Sequence, residues 1–237
     1  MHRFAATAAS LLCILGLTVQ ASAGSVTGKI TYDGKVPTFT PLDMNADPVC
    51  KSKHTTPVMP EVLVLGDQGR LANVLVSVVT APPGKTFAAP KEPAVISQHG
   101  CVYEPHVIGM MAGQELLFRN GDGILHNVHA LPVQNTPFNI GMPPTLKEKG
   151  KVVETPEAAF RVKCDVHPWM LAYVAVYTHP YFAVTGSDGT FQIKDLPAGT
   201  YEIAAWHEKL GVRKGTVTVG EGDTKTLDFT FAVPKTP

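Results

Sequence analysis

The sequence lacks an excess of charge of either sign, because 20 lysine and arginine residues balance 20 aspartate and glutamate residues. Proteins that bind nucleic acid or an anionic membrane surface through electrostatic attraction carry a surplus of basic residues. We therefore expect no nucleic-acid partner and no charge-driven attachment to a membrane.

Long apolar runs are also missing: none after residue 23 approaches the roughly 20 residues that a membrane-spanning helix needs. The first 23 residues have the features of a signal peptide, with a basic start at Arg3, an apolar stretch over Phe4–Val19 and the small-residue motif Ala21-Ser22-Ala23. We expect cleavage before Gly24, a periplasmic or secreted protein, and no membrane span in the mature chain. An uncleaved N-terminal anchor is the alternative, and its flanking residues fit less well.

Catalytic motifs are absent as well. The chain has no nucleophile elbow, no glycine-rich phosphate loop and no pair of carboxylates at a characteristic spacing. We therefore expect a protein that is not an enzyme. Long helical patterns are missing too, whereas glycine (21 residues) and proline (20 residues) are abundant. Short strands joined by turns are typical of this composition, so the expected fold class is all-β.

Cysteine is scarce, with four residues in the chain, and Cys13 lies in the predicted signal peptide. Cys50, Cys101 and Cys164 remain, an odd number for an exported protein. If one of them binds a metal, an oxidising compartment favours a disulfide between the other two. With Cys164 as the metal thiolate, the predicted disulfide joins Cys50 to Cys101. The sequence does not show whether the Cα atoms of these two residues lie within bonding distance.

The stretch that begins at Cys164 is the most informative part of the chain. Cys164, His167 and Met170 place a thiolate, an imidazole and a thioether within seven residues, between the strand-like runs 159–163 and 171–177. A tight loop between two strands can direct all three side chains at one centre. A second histidine would complete the set of two histidines, one cysteine and a weak axial methionine that blue-copper sites use. Methionine is a poor zinc ligand, so copper is favoured over zinc.

That histidine is present upstream, in the motif His126-Asn127-Val128 that follows a strand-like run ending at Asn120. Together the two motifs resemble the cupredoxins, the family of plastocyanin and azurin, and the spacing Cys-x-x-His-x-x-Met is most similar to that of the amicyanins. The resemblance covers roughly residues 93–177. It implies that Asn127 braces the ligand loop by hydrogen bonding. It also implies one mononuclear copper site, whose ligands are His126, Cys164, His167 and Met170.

Three neighbouring residues allow more than one interpretation. His129 lies an odd number of positions after His126, so in an extended chain it points to the opposite face. We expect a packing or surface histidine there rather than a ligand. Trp169, beside Pro168, is either an ordinary core residue or, as the resemblance to cupredoxins implies, part of an apolar patch around His167. The second interpretation predicts an electron-transfer port at Trp169 and Pro168.

Two other segments carry weaker patterns. Residues 61–65 and 71–79 flank a glycine-rich turn and predict a hairpin, whose second arm is apolar on both faces and is expected to be a central strand. Residues 131–158 are rich in proline and predict irregular structure with one strand near Val152. The lysine-rich run within them, 147–151, is expected to lie in solvent.

The C-terminal part of the chain resembles a second family. The string Asp188-Gly189-x-Phe191-x-Ile193-x-x-Leu196-Pro197-Ala198-Gly199-x-Tyr201 is similar to the carboxypeptidase regulatory-like, or transthyretin-like, β-sandwich, and 24–34 is similar to that family's first strand. The resemblance implies one sandwich made of residues 24–92 and 179–237. A Greek-key, cupredoxin-like copper domain, 93–178, is then inserted between the two parts, which is feasible when the inserted ends lie close together. Two consecutive domains are the alternative.

The two resemblances imply an exported blue-copper protein that transfers electrons to a redox protein such as a c-type cytochrome or a periplasmic dehydrogenase. A metal with four protein ligands has no open position for a substrate, which suits electron transfer better than catalysis. Two alternatives stay open at this point. One is copper storage or delivery, and the other is a surface-binding β-sandwich module without redox activity.

Overall fold

A computed structural model describes residues 22–232, so residues 1–21 of the predicted signal peptide lie outside the described residues. Between residues 22 and 232 no helix has the length and hydropathy of a membrane span. Strands dominate this range, which confirms the all-β fold class. In chain order the elements are β1 (Gly24–Tyr32), α1 (Pro48–Ser52), a 3-10 turn (Asp67–Gly69), β2 (Leu75–Val78), β3 (Ala94–His99), β4 (Val102–Glu104), β5 (Val107–Met111), β6 (Glu115–Asn120), β7 (His126–Leu131), β8 (Phe138–Met142), β9 (Glu148–Val152), β10 (Glu157–Lys163), β11 (Leu171–Tyr177), β12 (Phe182–Val184), β13 (Thr190–Leu196), β14 (Gly199–His207), β15 (Gly211–Val219), β16 (Thr224–Thr226) and β17 (Phe229–Phe231).

The middle of the chain forms two sheets that share one core. One sheet has the strand order β5-β11-β10-β7-β8, and the other has the order β4-β3-β6-β9. Ile96 and Phe118 from the second sheet pack in the same buried cluster as Val162 and Val174 from the first. Alternate side chains along a strand point to opposite faces, so each sheet contributes one apolar face to this core. The result is a β-sandwich in which β7, β10 and β11 are neighbours.

The two ends of the chain contribute to a second pair of sheets. One has the order β13-β1-β16, with β17 also paired to β1, and the other has the order β12-β2-β14-β15. Val26 and Ile30 of β1 are fully buried in a cluster that also contains Val76, Ile193 and Phe231. In the structure, residues that precede and follow the central strands therefore share one core.

Two segments differ from the expectations that their sequence patterns raised. Residues 61–65 form no strand, and a single bridge joins Leu65 to Leu71, so the predicted hairpin is wrong. The later strand β2 is nonetheless central, between β12 and β14, as its apolar pattern predicted. Residues 131–158 contain two complete strands: β9, which is the strand predicted near Val152, and β8, which was not predicted. Pairing of β8 with β7 and of β9 with β6 overrides the weak local pattern of this segment.

The two sandwiches meet at a buried polar contact centred on His106. His106 is 5% exposed, and its Nε2 lies 2.6 Å from the buried Glu208 carboxylate while its Nδ1 lies 3.0 Å from the Leu171 carbonyl. A carbonyl and an ionised carboxylate can only accept hydrogen bonds, so this pair of contacts favours the imidazolium form, in which both ring nitrogens donate. Burial lowers the pKa of His106, but its hydrogen bond and ion pair with Glu208 outweigh this effect and raise the pKa above its usual value. Burial raises the pKa of Glu208, and the contact with His106 lowers it overall.

The stability of this junction should depend on pH. A raised histidine pKa gives stabilisation that is complete below the unfolded pKa of 6.5 and is lost as the pH rises through the folded pKa. As the pH rises above about 6.5, the unfolding free energy of Glu208→Gln should therefore fall less steeply than that of the wild type. Urea unfolding at several pH values measures this difference. Glu202→Gln is the control, because Glu202 is an exposed residue of β14, the strand that precedes Glu208, and pairs with Lys214. Equal pH slopes in the wild type and Glu208→Gln would contradict the assignment.

Candidate metal centre

Three of the four predicted ligands lie together at one end of the central sandwich. His126 begins β7, Cys164 follows β10, and His167 lies in the loop that joins β10 to β11. One donor atom from each, the cysteine sulfur and an imidazole nitrogen from each histidine, lies within 4.8 Å of the other two. The Nδ1 atoms of the two histidines are 2.9 Å apart, and Nδ1 of His167 is 3.8 Å from the Cys164 sulfur. All three residues are buried, because β7, β10 and β11 are adjacent strands that share the core.

The fourth predicted ligand, Met170, ends the same loop. The loop is tight: the Met170 N–H donates to the His167 carbonyl at 2.9 Å, and the Cys164 N–H donates to the Met170 carbonyl at 3.3 Å. Met170 is buried in the same apolar cluster as Cys164. The backbone turn therefore brings the thioether-bearing residue back beside the cysteine.

The chemistry of these donors fits a copper ion. A buried thiolate with two imidazoles suits a soft or borderline metal, provided that the thiol can ionise. Burial raises the pKa of Cys164, but hydrogen bonds from His126 and from backbone N–H groups lower it to about 7. Two of these N–H groups, of Asn127 and His167, lie 3.4 Å from the sulfur. The thiolate form is therefore accessible near neutral pH.

Asn127, for which a bracing role is predicted, hydrogen-bonds to the ligand loop and to β8. Its Oδ1 accepts a hydrogen bond from the Asp165 N–H at 2.5 Å, and its Nδ2 donates to Asn139 on β8 at 2.5 Å. These contacts fix the start of the ligand loop to two neighbouring strands. His129 does not join the three donors, and its Nδ1 instead lies 2.9 Å from the Asp165 carboxylate.

Each imidazole of the site is held at its outer nitrogen by a carboxylate. Nε2 of His126 lies 3.0 Å from Asp122, and Nε2 of His167 lies 3.1 Å from Asp47. A carboxylate at Nε2 fixes the ring orientation and keeps the proton on that nitrogen, so Nδ1 is free to bind a metal. Burial raises the pKa of Asp122, but its hydrogen bonds, first of all from His126, hold the pKa well below the usual range.

Sequence reasoning missed both carboxylates. Asp122 lies at i, i+4 spacing before His126, which brings side chains together on a helix. Asp122 lies in a loop, however, where this spacing does not predict a contact. Asp47 lies in an irregular segment, and only the position of Cys50 three residues later could have drawn attention to it. The predicted disulfide between Cys50 and Cys101 is present, with Cα atoms 5.5 Å apart. It holds the irregular segment that contains Asp47 at the end of the sandwich where His126, Cys164 and His167 lie.

The His167 ring lies between a carboxylate and an aromatic ring. His167 is 1% exposed, and Asp47 covers its outer nitrogen. Pro168 is exposed, and the half-buried Trp169 lies to one side, with its ring 5.1 Å from the imidazole and its N–H donated to the Cys101 carbonyl. His167 is therefore not open to solvent between Trp169 and Pro168, because Asp47 of the disulfide-tethered segment covers it. The electron-transfer port at Trp169 and Pro168 stays a prediction.

Comparisons with known proteins agree with a chain built from β-sandwiches. The carboxypeptidase regulatory-like domain family matches residues 168–232, a range that starts inside the ligand loop rather than at residue 179. A purple cupredoxin from Nitrosopumilus maritimus is 23% identical, with a TM-score of 0.30, over 35% of this chain and 99% of that one. An amicyanin variant in its Cu(I) form is 16% identical, with a TM-score of 0.33, over 43% of this chain and 98% of that one.

A copper-containing nitrite reductase from Thermus scotoductus is 20% identical, with a TM-score of 0.34, over 42% of this chain. The match spans only 27% of the reductase's own length. Comparison with curated protein sequences finds no match. The chain thus contains a stretch, residues 168–232, that matches the carboxypeptidase regulatory-like domain family.

Proposed function

We propose that this protein is an exported mononuclear copper protein that transfers electrons and has no enzymatic activity of its own. The observation that carries the proposal is the buried convergence of the Cys164 sulfur with Nδ1 of His126 and Nδ1 of His167. Copper, when bound, would supply a one-electron redox couple. Met170, at the end of the same loop, would add a weak axial thioether. Four protein ligands would leave no position for a substrate.

The chain's own residues would keep the donor set rigid while the charge of the metal changes. Asp122 and Asp47 fix the two imidazole rings, and Asn127 ties the ligand loop to β7 and β8. Hydrogen bonds to the cysteine sulfur and burial of the site are the means by which a protein tunes the potential of a copper–thiolate centre. Both are present here, so the site is suited to electron transfer with a redox protein such as a c-type cytochrome or a periplasmic dehydrogenase.

The proposal is tested by loading the purified protein with Cu(II). We expect one copper per chain, an intense visible band from thiolate-to-copper charge transfer, and reversible one-electron voltammetry. Failure to bind copper would overturn the proposal and favour a surface-binding module. Ready transfer of copper to a chelator, without reversible voltammetry, would also overturn it and favour copper storage or delivery.

Trp169 should affect electron exchange without affecting copper binding. Its ring is the aromatic group beside His167, so it provides a short path from the site towards the surface. Trp169→Ala should slow electron self-exchange of the isolated protein while leaving the visible spectrum nearly unchanged. Trp206→Ala, a change at the junction of the two sandwiches, is the control. If Trp169→Ala exchanges electrons as fast as the wild type, the port lies elsewhere.

A further inference from the structure

Residues 42–58 cross the end of the central sandwich that carries His126, Cys164 and His167. We call this segment the strap. Its two ends meet where the Leu42 N–H donates to the Val58 carbonyl at 2.8 Å. Near its middle, Cys50 in α1 is joined to Cys101 in the turn between β3 and β4. The strap is therefore a closed loop that is covalently fixed to the sandwich.

Asp47 connects the strap to His167. One carboxylate oxygen accepts the N–H groups of Val49 and Cys50, at 2.9 and 3.1 Å, and so caps α1. The other oxygen faces Nε2 of His167 at 3.1 Å. Asp47 itself keeps 29% of its side chain exposed, whereas His167 is 1% exposed. Water thus reaches the carboxylate but not the imidazole behind it.

Asp122 connects the other half of the disulfide to His126. The Cys101 N–H donates to Asp122 Oδ2 at 2.8 Å, and the same oxygen faces Nε2 of His126 at 3.0 Å. Lys53 of the strap lies 3.2 Å from the second oxygen, Oδ1. The backbone N–H of each disulfide-bonded cysteine therefore donates to a carboxylate that holds one of the two metal-binding histidines.

We infer that the disulfide-tethered strap positions both histidines and seals the metal centre. Asp47 acts as a positioning residue, because it orients His167 without being a ligand and covers the edge of the ring through which an external ligand would enter. The inference rests on the proposed copper function. It has two consequences: an external ligand or chelator reaches the metal only when the strap opens, and a redox partner does not contact His167 directly.

The test must separate the contact to His167 from the helix cap that Asp47 also provides. Asp47→Ser retains a capping hydroxyl for α1 but is too short to reach the imidazole. Asp43→Ser is the matched control, since Asp43 lies on the same strap and, among residues 22–232, its side chain hydrogen-bonds only to Asn45. In the copper-loaded protein, Asp47→Ser should weaken copper binding by about 10- to 100-fold in competition with a chelator. It should also let added imidazole change the Cu(II) paramagnetic resonance spectrum, whereas Asp43→Ser should behave as the wild type.

A second measurement uses the metal-free protein, so it does not depend on copper. Cys164 is 2% exposed and is the free cysteine among residues 22–232. Its alkylation by iodoacetamide should be faster in Asp47→Ser than in Asp43→Ser. It should be faster still in Cys50→Ser/Cys101→Ser, in which Cys164 is the sole thiol of the mature chain. Circular dichroism checks that each variant is folded.

These two measurements distinguish failure of the inference from failure of the proposed function. A wild-type protein that binds no copper overturns the proposed function, and the strap is then judged on alkylation alone. If the wild type binds copper but Asp47→Ser matches Asp43→Ser in copper competition and in alkylation, the strap neither positions nor seals the site. That result would overturn the inference and leave the copper function standing.

Discussion

Cys164→Ser should abolish the visible absorption band of the copper-loaded protein. The band is expected to arise from charge transfer between the thiolate and Cu(II), and a hydroxyl is a poor ligand for a soft or borderline metal. The two backbone N–H groups that point at the sulfur can still donate to a serine oxygen, so the loop between β10 and β11 should keep its shape. The measurement is the visible spectrum after Cu(II) loading, with far-ultraviolet circular dichroism to show that the fold is retained.

Met170→Leu gives the matched contrast to Cys164→Ser. The axial thioether bond is weak, so leucine should leave the band in place while the reduction potential shifts. Met110→Leu, a change of another fully buried methionine in the same core, should alter neither quantity. An unchanged band in Cys164→Ser would rule out the thiolate as a copper ligand. An unchanged potential in Met170→Leu would rule out the axial thioether.

The convergence of the three candidate ligands His126, Cys164 and His167 could be predicted because each lies in a local pattern that constrains it. Cys164 and His167 are three residues apart between two apolar strands, and His126 begins a third apolar strand. Buried strands of this kind are easily recognised in a sequence as short apolar runs. The sequence pattern does not show which strands pair, and the resemblance to cupredoxins implied that pairing. The strand that was missed, β8, is five residues long and only Met142 in it is buried, so its apolar pattern is short and weak.

Asp47 could not be predicted in the same way. It lies 120 positions from His167 in the chain, and neither its neighbours nor its spacing indicates a partner. Its position follows from the disulfide, from the cap of a five-residue helix and from the packing of an irregular segment on the sandwich. Contacts of this kind depend on the assembled fold, so no local pattern in the sequence indicates that Asp47 covers His167.

Removal of the disulfide should have the largest effect on stability. The Cys50–Cys101 bond closes a loop with a sequence separation of 51, which in the chain-entropy treatment corresponds to roughly 4 kcal/mol of unfolding free energy. Cys50→Ser/Cys101→Ser should lose about that amount in urea unfolding of the metal-free protein, since bound copper would add its own stabilisation. Cys164→Ser, which keeps the disulfide, is the control for loss of a buried cysteine. Recovery of Cys50 and Cys101 as free thiols from protein purified under oxidising conditions would refute the prediction.

The same variant should also respond less to copper. Bound copper stabilises the fold by a free energy that grows with the logarithm of its affinity. Coupling is reciprocal, so if the disulfide strengthens copper binding, copper strengthens the stabilisation by the disulfide by the same free energy. If the strap holds His126 and His167 in place through Asp122 and Asp47, loss of the disulfide weakens copper binding, and copper then raises the unfolding midpoint less than it does in the wild type. Urea unfolding of both proteins, with and without copper, measures this difference. Equal copper-induced shifts would mean that the disulfide stabilises the sandwich alone and leaves the metal centre unaffected.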